Sequence, residues 1–270
     1  MDLGLRDRNA FVAGASSGLG LAAATALARE GCRVAICSRS ADRLASAKAE
    51  IVRVAGVDPE RVLPTVCDVT DESQIQEAVG GVVEAWGALH ILFTNAGGPP
   101  TGLVDNFDAD GWRKGLELNL VSTINLCRHA LPFLRAAAVR DGHARILMVT
   151  SIAAKQPIQT LYISNTARAG VQGFAKTLSE EVGVYGITVN TLLPGFTRTA
   201  RLQHLVEDIQ ARTGKTAEEV EAGWAEAAAL RRLAEPEEFA AAVAFLAGKP
   251  AAFITGIALP IDGGYSKHVF

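Results

Sequence analysis

Aromatic residues make up only 6% of this 270-residue chain, methionine occurs twice and cysteine four times. Cys32, Cys37, Cys67 and Cys127 are scattered, with no C-x-x-C pair and no accompanying histidine cluster. Such spacing fits neither a zinc site nor a disulfide framework, so core thiols and no bound metal are expected. An excess of one charge is missing too: 26 Lys and Arg face 29 Asp and Glu, a formal net charge of -3, with no basic stripe. Nothing therefore favours nucleic acid or an anionic membrane as partner, and a small molecule is expected instead. No run approaches the ~18 uninterrupted apolar residues that a membrane span requires. The opening MDLGLRDRNAFVAG lacks the basic start and long apolar stretch of a secretory signal, so a cytoplasmic location is expected.

What the chain does have is alternation. Short β-branched runs, from NAFVAG through RVAIC, RVLPTV, LHILFT, ARILMVT and ITVNTLL to GIALPI, are separated by helical segments at 18–30, 40–55, 71–86, 108–138 and 158–183. This order specifies parallel strands joined by helical crossovers, and the nearly continuous apolar strands imply helices on both faces. The expected fold is α/β: a single doubly wound, Rossmann-type domain over residues 1–270, with a parallel sheet of about seven strands. One irregular region, 198–235, places Leu202, Leu205, Val206 and Ile209 on one helical stripe and offers Thr216 with Glu219 as a capping box. It reads as a small helical flap, either covering a site or serving packing and subunit contact.

The first strand runs into AGASSGLGLAAATALAREG, where Gly14, Ser16, Ser17, Gly18, Leu19 and Gly20 lead into an Ala/Leu-rich helix. Glycines let the backbone turn tightly and approach a pyrophosphate, whose charge meets free N–H groups at the positive end of the helix dipole. Strand, loop and helix occur in the order a dinucleotide site requires. About twenty residues on, where an NAD site offers an acid to the ribose, the second strand ends in CSRS. Ser38 and Arg39 suit a 2′-phosphate, so NADP(H) is expected in preference to NAD(H), which is kept as possible. Asp68 and Val69, past the third strand, are expected at the adenine; Asp68 reads equally as a helix N-terminal acid.

The loop GASSGLG, TNAG at 94–97, LELNLV around Asn119, VTSI around Ser151, LLPGFTRT at 192–199 and IDGG at 261–264 together resemble the short-chain dehydrogenase/reductase family, over essentially the whole chain. Among its members the chain looks most like 3-oxoacyl-thioester reductases. Ala13 stands where threonine is usual, and Thr94 replaces the first asparagine of the N-N-A-G motif. The resemblance implies that Asn95, Ala96 and Gly97 line the cofactor cleft. It implies that Pro194, Gly195, Thr197 and Thr199 lie over the nicotinamide, that Asn119 bends its helix and holds a relay water, and that Ser151 polarises a carbonyl oxygen. It also implies a homotetramer or homodimer built through the helices at 108–138 and 158–183, with the C-terminal IDGGYSKHVF near another interface.

The family's acid/base is a tyrosine followed four residues later by a lysine, and here Tyr162 is followed by Thr166. The family tyrosine comes thirteen residues after the serine, which falls on Ser164, and the downstream match of ARAGVQGFAKTL puts the lysine at Arg168. An aliphatic hydroxyl ionises far above the phenol value of ~10, so Ser164 is a poor general acid. Arg168, a permanent cation with several donors, keeps the capacity to hold ribose hydroxyls. Three proton donors stay open: Tyr162, which reaches the cleft only if its backbone is extended; Lys155, if desolvated; and a water held by Asn119 and Ser164. Two functions stay open with them. One is NADP(H)-dependent hydride transfer to or from a carbonyl or secondary alcohol; the other is nucleotide binding with little turnover, in a regulatory or structural subunit.

Overall fold

The computed structural model describes residues 1–269; Phe270, the end of the segment expected near a subunit contact, lies outside the described residues. The β-branched runs form β1 (Asn9–Ala13), β2 (Arg33–Ser38), β3 (Val62–Val66), β4 (Ile91–Thr94), β5 (Ala144–Val149), β6 (Ile187–Pro194) and β7 (Ala258–Ile261). They pair in one sheet of order β3-β2-β1-β4-β5-β6-β7, every pair parallel. A parallel neighbour can only be reached by a crossover, here α1 (Gly18–Arg29), α2 (Ala41–Ala55), α3 (Glu72–Trp86), α4 (Ala109–Leu116) continued by α5 (Ser122–Asp141), and α6 (Tyr162–Gly183). The last crossover holds α7 (Ala200–Thr213), α8 (Ala217–Ala227) and α9 (Pro236–Ala247).

Successive strand residues point to opposite faces, and the two cores follow from that. Val12 and Ile36 pack with Leu27 of α1, Ile51 of α2 and Phe239 of α9. Phe11 and Leu92 pack on the other face with Val79 of α3, Leu134 of α5 and Val171 of α6. Full burial of one Leu, Ile or Phe side chain contributes about 1.5–3 kcal/mol, so these two layers hold the sheet between them. The strand order reverses between β1 and β4, and a crevice opens there at the carboxyl ends of the strands.

Three local features position the site. The helix read as running from 158 starts at Tyr162 instead, because Thr160 takes a left-handed φ of 65° and its carbonyl accepts from Gly102 N–H at 2.9 Å. Residues 117–121 form a π turn between α4 and α5, carrying the buried Asn119. The region 198–235 forms α7 and α8, with Thr216 capping Glu219 N–H at 3.2 Å and the Glu219 carboxylate accepting from Thr216 N–H at 2.8 Å. Leu202 and Val206 of its stripe are buried, and the Phe196 ring stacks on Trp224 at 4.4 Å, fixing α8 to the end of β6. The four cysteines are free and buried. Among the described residues no helix is long and apolar enough to cross a membrane.

Candidate active site

A cleft of about 630 Å³ runs along the carboxyl edge of the sheet. At one end lies the loop between β1 and α1. Gly14 and Gly18 take φ of 61° and 56°, backbone that residues with a Cβ rarely adopt. Asn95 holds the loop by donating to the Gly14 carbonyl at 3.2 Å. Ser17 begins α1 in extended conformation and makes no side-chain cap, so the first N–H groups of this helix keep their donors for an external anion. Ser16, Ser17, Gly18 and Leu19 line the cleft here. Gly20 does not; it packs behind, where a Cβ would run into the Gly14 carbonyl. An open glycine cradle at an uncapped helix start is what a pyrophosphate needs, so the residues present fit a dinucleotide.

Next along the wall come Ser38 and Arg39 at the end of β2, then Ser40 and Arg43, which the sequence reading missed. Ser40 caps α2 by accepting from Arg43 N–H at 3.3 Å, so one turn of helix brings a second guanidinium beside Arg39. The signal was the SRSADR run: a helix N-cap between two arginines four apart. Both arginines are exposed and form no ion pair among the described residues. Asp68 and Val69 line the same end, and the Asp68 carboxylate accepts from Thr70 N–H and Oγ1 at 3.0 and 2.8 Å. Cys67 lines the cleft as well, its thiol held below the usual range by a hydrogen bond from Cys37.

At the opposite end, Ser151 follows β5 in extended backbone, its Oγ accepting from Ala153 N–H at 3.0 Å while its own proton stays available. Ser164 and Arg168 lie one turn apart on α6 and both face the cleft with Ser151. Arg168 is buried; Nη1 donates to the Val149 carbonyl at 2.7 Å, and no carboxylate pairs with it among the described residues. Burial, with the charge of Arg201 nearby, brings its pKa down to about 10. Asn119 sits behind the wall rather than in it: Nδ2 donates to the Gly97 carbonyl at 2.7 Å, and its buried Oδ1 has no protein partner.

Two candidate donors are not brought to the cleft. Tyr162 opens α6, 42% exposed, with its carbonyl accepting from Thr166 Oγ1. In a helix it diverges from Ser164 by about 200°, so the extended geometry that would turn it inward is absent. Lys155 follows the short turn after Ser151 and is likewise no part of the lining. Their loop is fixed by Asn165, unforeseen in the sequence, whose amide donates to the Ile158 carbonyl at 2.9 Å and accepts from Ile158 N–H at 3.4 Å. Ile158 and Leu161 thereby become cleft walls.

The remaining walls come from the β4–β6 side of the switch point. Asn95, Ala96 and Gly97 follow β4, Pro194 ends β6, and Gly195, Thr197 and Thr199 follow it. Gly195 packs so tightly on the Asp262 backbone that a Cβ would come within 2.7 Å of its Cα. Thr199 caps α7, accepting from Leu202 N–H at 3.3 Å. From α7, Arg201, Leu202 and Leu205 face the cleft, and Arg201 Nη2 donates to the Pro99 carbonyl at 3.0 Å.

A family model described as enoyl-(acyl carrier protein) reductase matches residues 14–266, and the chain belongs to the short-chain dehydrogenases/reductases. It is 34% identical to the cis-4-hydroxycyclohexanecarboxylate dehydrogenase of Sinomonas cyclohexanicum, over 96% of this chain and 97% of that one. It is 30% identical to a 3-oxoacyl-acyl-carrier-protein reductase of Thermotoga maritima, over 96% and 98%. The structure of L-sorbose reductase from Gluconobacter frateurii, complexed with NADPH and L-sorbose, superposes with a TM-score of 0.91 at 31% identity, covering 100% of both chains.

Proposed function

We propose that the protein is an NADP(H)-dependent oxidoreductase that interconverts a carbonyl and a secondary alcohol. The observation carrying this reading is that one cleft joins the uncapped start of α1 to Ser151 and Arg168. Bound there, the cofactor would supply the hydride. The Gly14–Leu19 loop cradles the pyrophosphate, Arg39 and Arg43 neutralise the 2′-phosphate, and Thr199 holds the far end of the dinucleotide. NADP(H) is preferred over NAD(H) because β2 is followed by two guanidiniums, Arg39 and Arg43, in place of the acid of an NAD site; the sorbose reductase neighbour solved with NADPH supports the choice.

Ser151 donates its free proton to the substrate oxygen as negative charge builds there. Ser164 takes the place of the family tyrosine and Arg168 that of the lysine. Arg168 holds ribose hydroxyls and keeps the cleft floor positive, while the proton is relayed from solvent through a water held by Ser164 and by Asn119, whose buried Oδ1 has no protein partner and can accept from it. This arrangement lowers turnover without abolishing it. Relatives that act on ketoacyl groups and hydroxy acids support a ketone in an acyl chain as the group reduced. The reading includes a single domain, with α7 and α8 as the flap, working in the cytoplasm as a homotetramer or homodimer on a small molecule.

The test is a pair of measurements on purified protein: NADPH and NADH affinity by fluorescence, and NADPH oxidation across ketones. Tight NADPH binding with turnover that collapses in Ser151→Ala supports the proposal. Tight binding with no oxidation of any ketone favours the second reading, a nucleotide-binding subunit with little turnover, to which the serine at position 164 already lends weight.

A further inference from the structure

The reactive end of the cleft carries a cation, Arg201, that makes no direct ion pair among the described residues, Asp208 acting on it only from a distance. Arg201 lies in the first turn of α7, a 14-residue helix with no acidic residue in that turn. A cation there meets the positive end of the helix dipole, the reverse of the usual preference. The guanidinium lies flat against Gly98, where a Cβ would come within 2.5 Å of Nε, and Nη2 is fixed to the Pro99 carbonyl at 3.0 Å. It forms no ion pair among the described residues. Asp208, two turns along α7, is turned to Thr101 Oγ1 at 3.1 Å instead. Arg201 is exposed at the cleft mouth; partial desolvation lowers its pKa while the charge of Asp208 acts to raise it, and its own charge is felt by Arg168.

Asp68 is the one carboxylate among the residues lining the cleft, and it stands at the far end. The phosphates of a dinucleotide are met there too, by the start of α1 and by Arg39 and Arg43. The reactive end also carries apolar walls, Leu118, Ile152, Leu161, Leu202 and Leu205, beside the hydroxyls of Ser151, Ser164, Thr197 and Thr199 and the guanidinium of Arg168. A guanidinium held at the cleft mouth by Gly98 and the Pro99 carbonyl, with no direct ion pair and with leucines beside it, can orient one anionic group on a largely apolar ligand.

We infer that Arg201 reads a carboxylate on the substrate, so that the protein acts on small oxo acids or hydroxy acids rather than on neutral ketones. The inference rests on the proposed oxidoreductase reading and narrows its substrate. Gly98 is part of the same device, since any side chain there would displace the guanidinium.

The experiment compares matched pairs, levulinate against methyl levulinate and acetoacetate against ethyl acetoacetate, at saturating NADPH, in wild type, Arg201→Met and Arg201→Lys. A charge-assisted contact of this kind predicts that wild type favours each acid over its ester by at least about tenfold in kcat/KM. Arg201→Met brings that ratio near one, chiefly through KM, Arg201→Lys restores part of it, and NADPH affinity stays within about twofold of wild type. A ratio unchanged in Arg201→Met overturns the inference. So does a loss of NADPH affinity that accounts for the whole effect, since Arg201 then serves the cofactor. If no ketone is turned over, calorimetry of levulinate binding, with and without NADP+, decides separately. Binding abolished by Arg201→Met upholds the carboxylate site and leaves only the oxidoreductase reading lost; absence of binding to wild type overturns the inference itself.

Discussion

The two ends of the cleft are made from different kinds of sequence. The end proposed for the adenosine uses three consecutive strand-to-helix turns: Gly14–Leu19 after β1, Ser38–Arg43 at the end of β2 and Cys67–Val69 after β3. Each turn is local, so its chemistry is written in neighbouring residues. The reactive end gathers Gly97–Gly98, Ser151, Ser164–Arg168 and Pro194–Leu205, segments spread over about a hundred residues that meet only because β4, β5 and β6 are adjacent. One end answers to backbone geometry and charge count; the other depends on which way a few side chains face.

The comparison can be broken in several places. The largest effect is expected at the local end: Gly20→Val forces a side chain into the Gly14 carbonyl, so cofactor binding is lost and stability falls by about 1–3 kcal/mol or more, read by NADPH titration and thermal melting. Retained NADPH affinity in that variant would mean the loop is not the cradle. At the reactive end, Ser151→Ala leaves NADPH affinity intact and lowers kcat by about 10²–10³-fold, the usual consequence of removing one donor to a developing oxyanion. Arg39→Glu raises the NADPH dissociation constant by about ten- to a hundredfold and leaves NADH nearly unaffected, sharpening the assignment of that end. An equal loss for both cofactors would remove the 2′-phosphate from the argument.

The opposite edge of the sheet supplies a control outside both ends. His143, fully buried, has its pKa pushed down to about 3 by desolvation first, then by the charges of Arg145, Arg8 and His90. Its folded pKa lies below the unfolded value of ~6.5, so the unfolded chain binds the extra proton and stability drains away as pH falls from about 6.5 towards 3. The slope approaches about 1.4 kcal/mol per pH unit, and His143→Leu flattens it in urea titrations between pH 6.5 and 5. The smallest effect is expected at Tyr162: Tyr162→Phe changes kcat by less than about twofold, because the ring stands at the solvent side of α6. A loss approaching a hundredfold would return the tyrosine to the proton path.

How far the sequence could be read follows the same division. The parallel sheet, its crossovers and the glycine loop were legible because hydrophobic period and turn chemistry are properties of short windows. The capping box at Thr216 and Glu219 was legible for the same reason, and so was the Leu202–Val206 stripe. Arg43 escaped notice although its signal was local, the N-cap serine between two arginines. Asn165 and Arg201 had no such signal: one clamps Ile158 across a loop, and the other lies against Gly98 from a segment about a hundred residues downstream.

By itself the sequence determined the order of strands and helices, where a glycine turn follows the first strand, and that positions 164 and 168 carry serine and arginine. Only the tertiary structure decided which side chains share the cleft. A hydrogen bond from Gly102 to Thr160 holds off the start of α6 until Tyr162, turning the phenol out and leaving Ser164 and Arg168 facing Ser151. Helical phase is local once a helix has begun, but the residue at which it begins was set here by a contact with a distant loop.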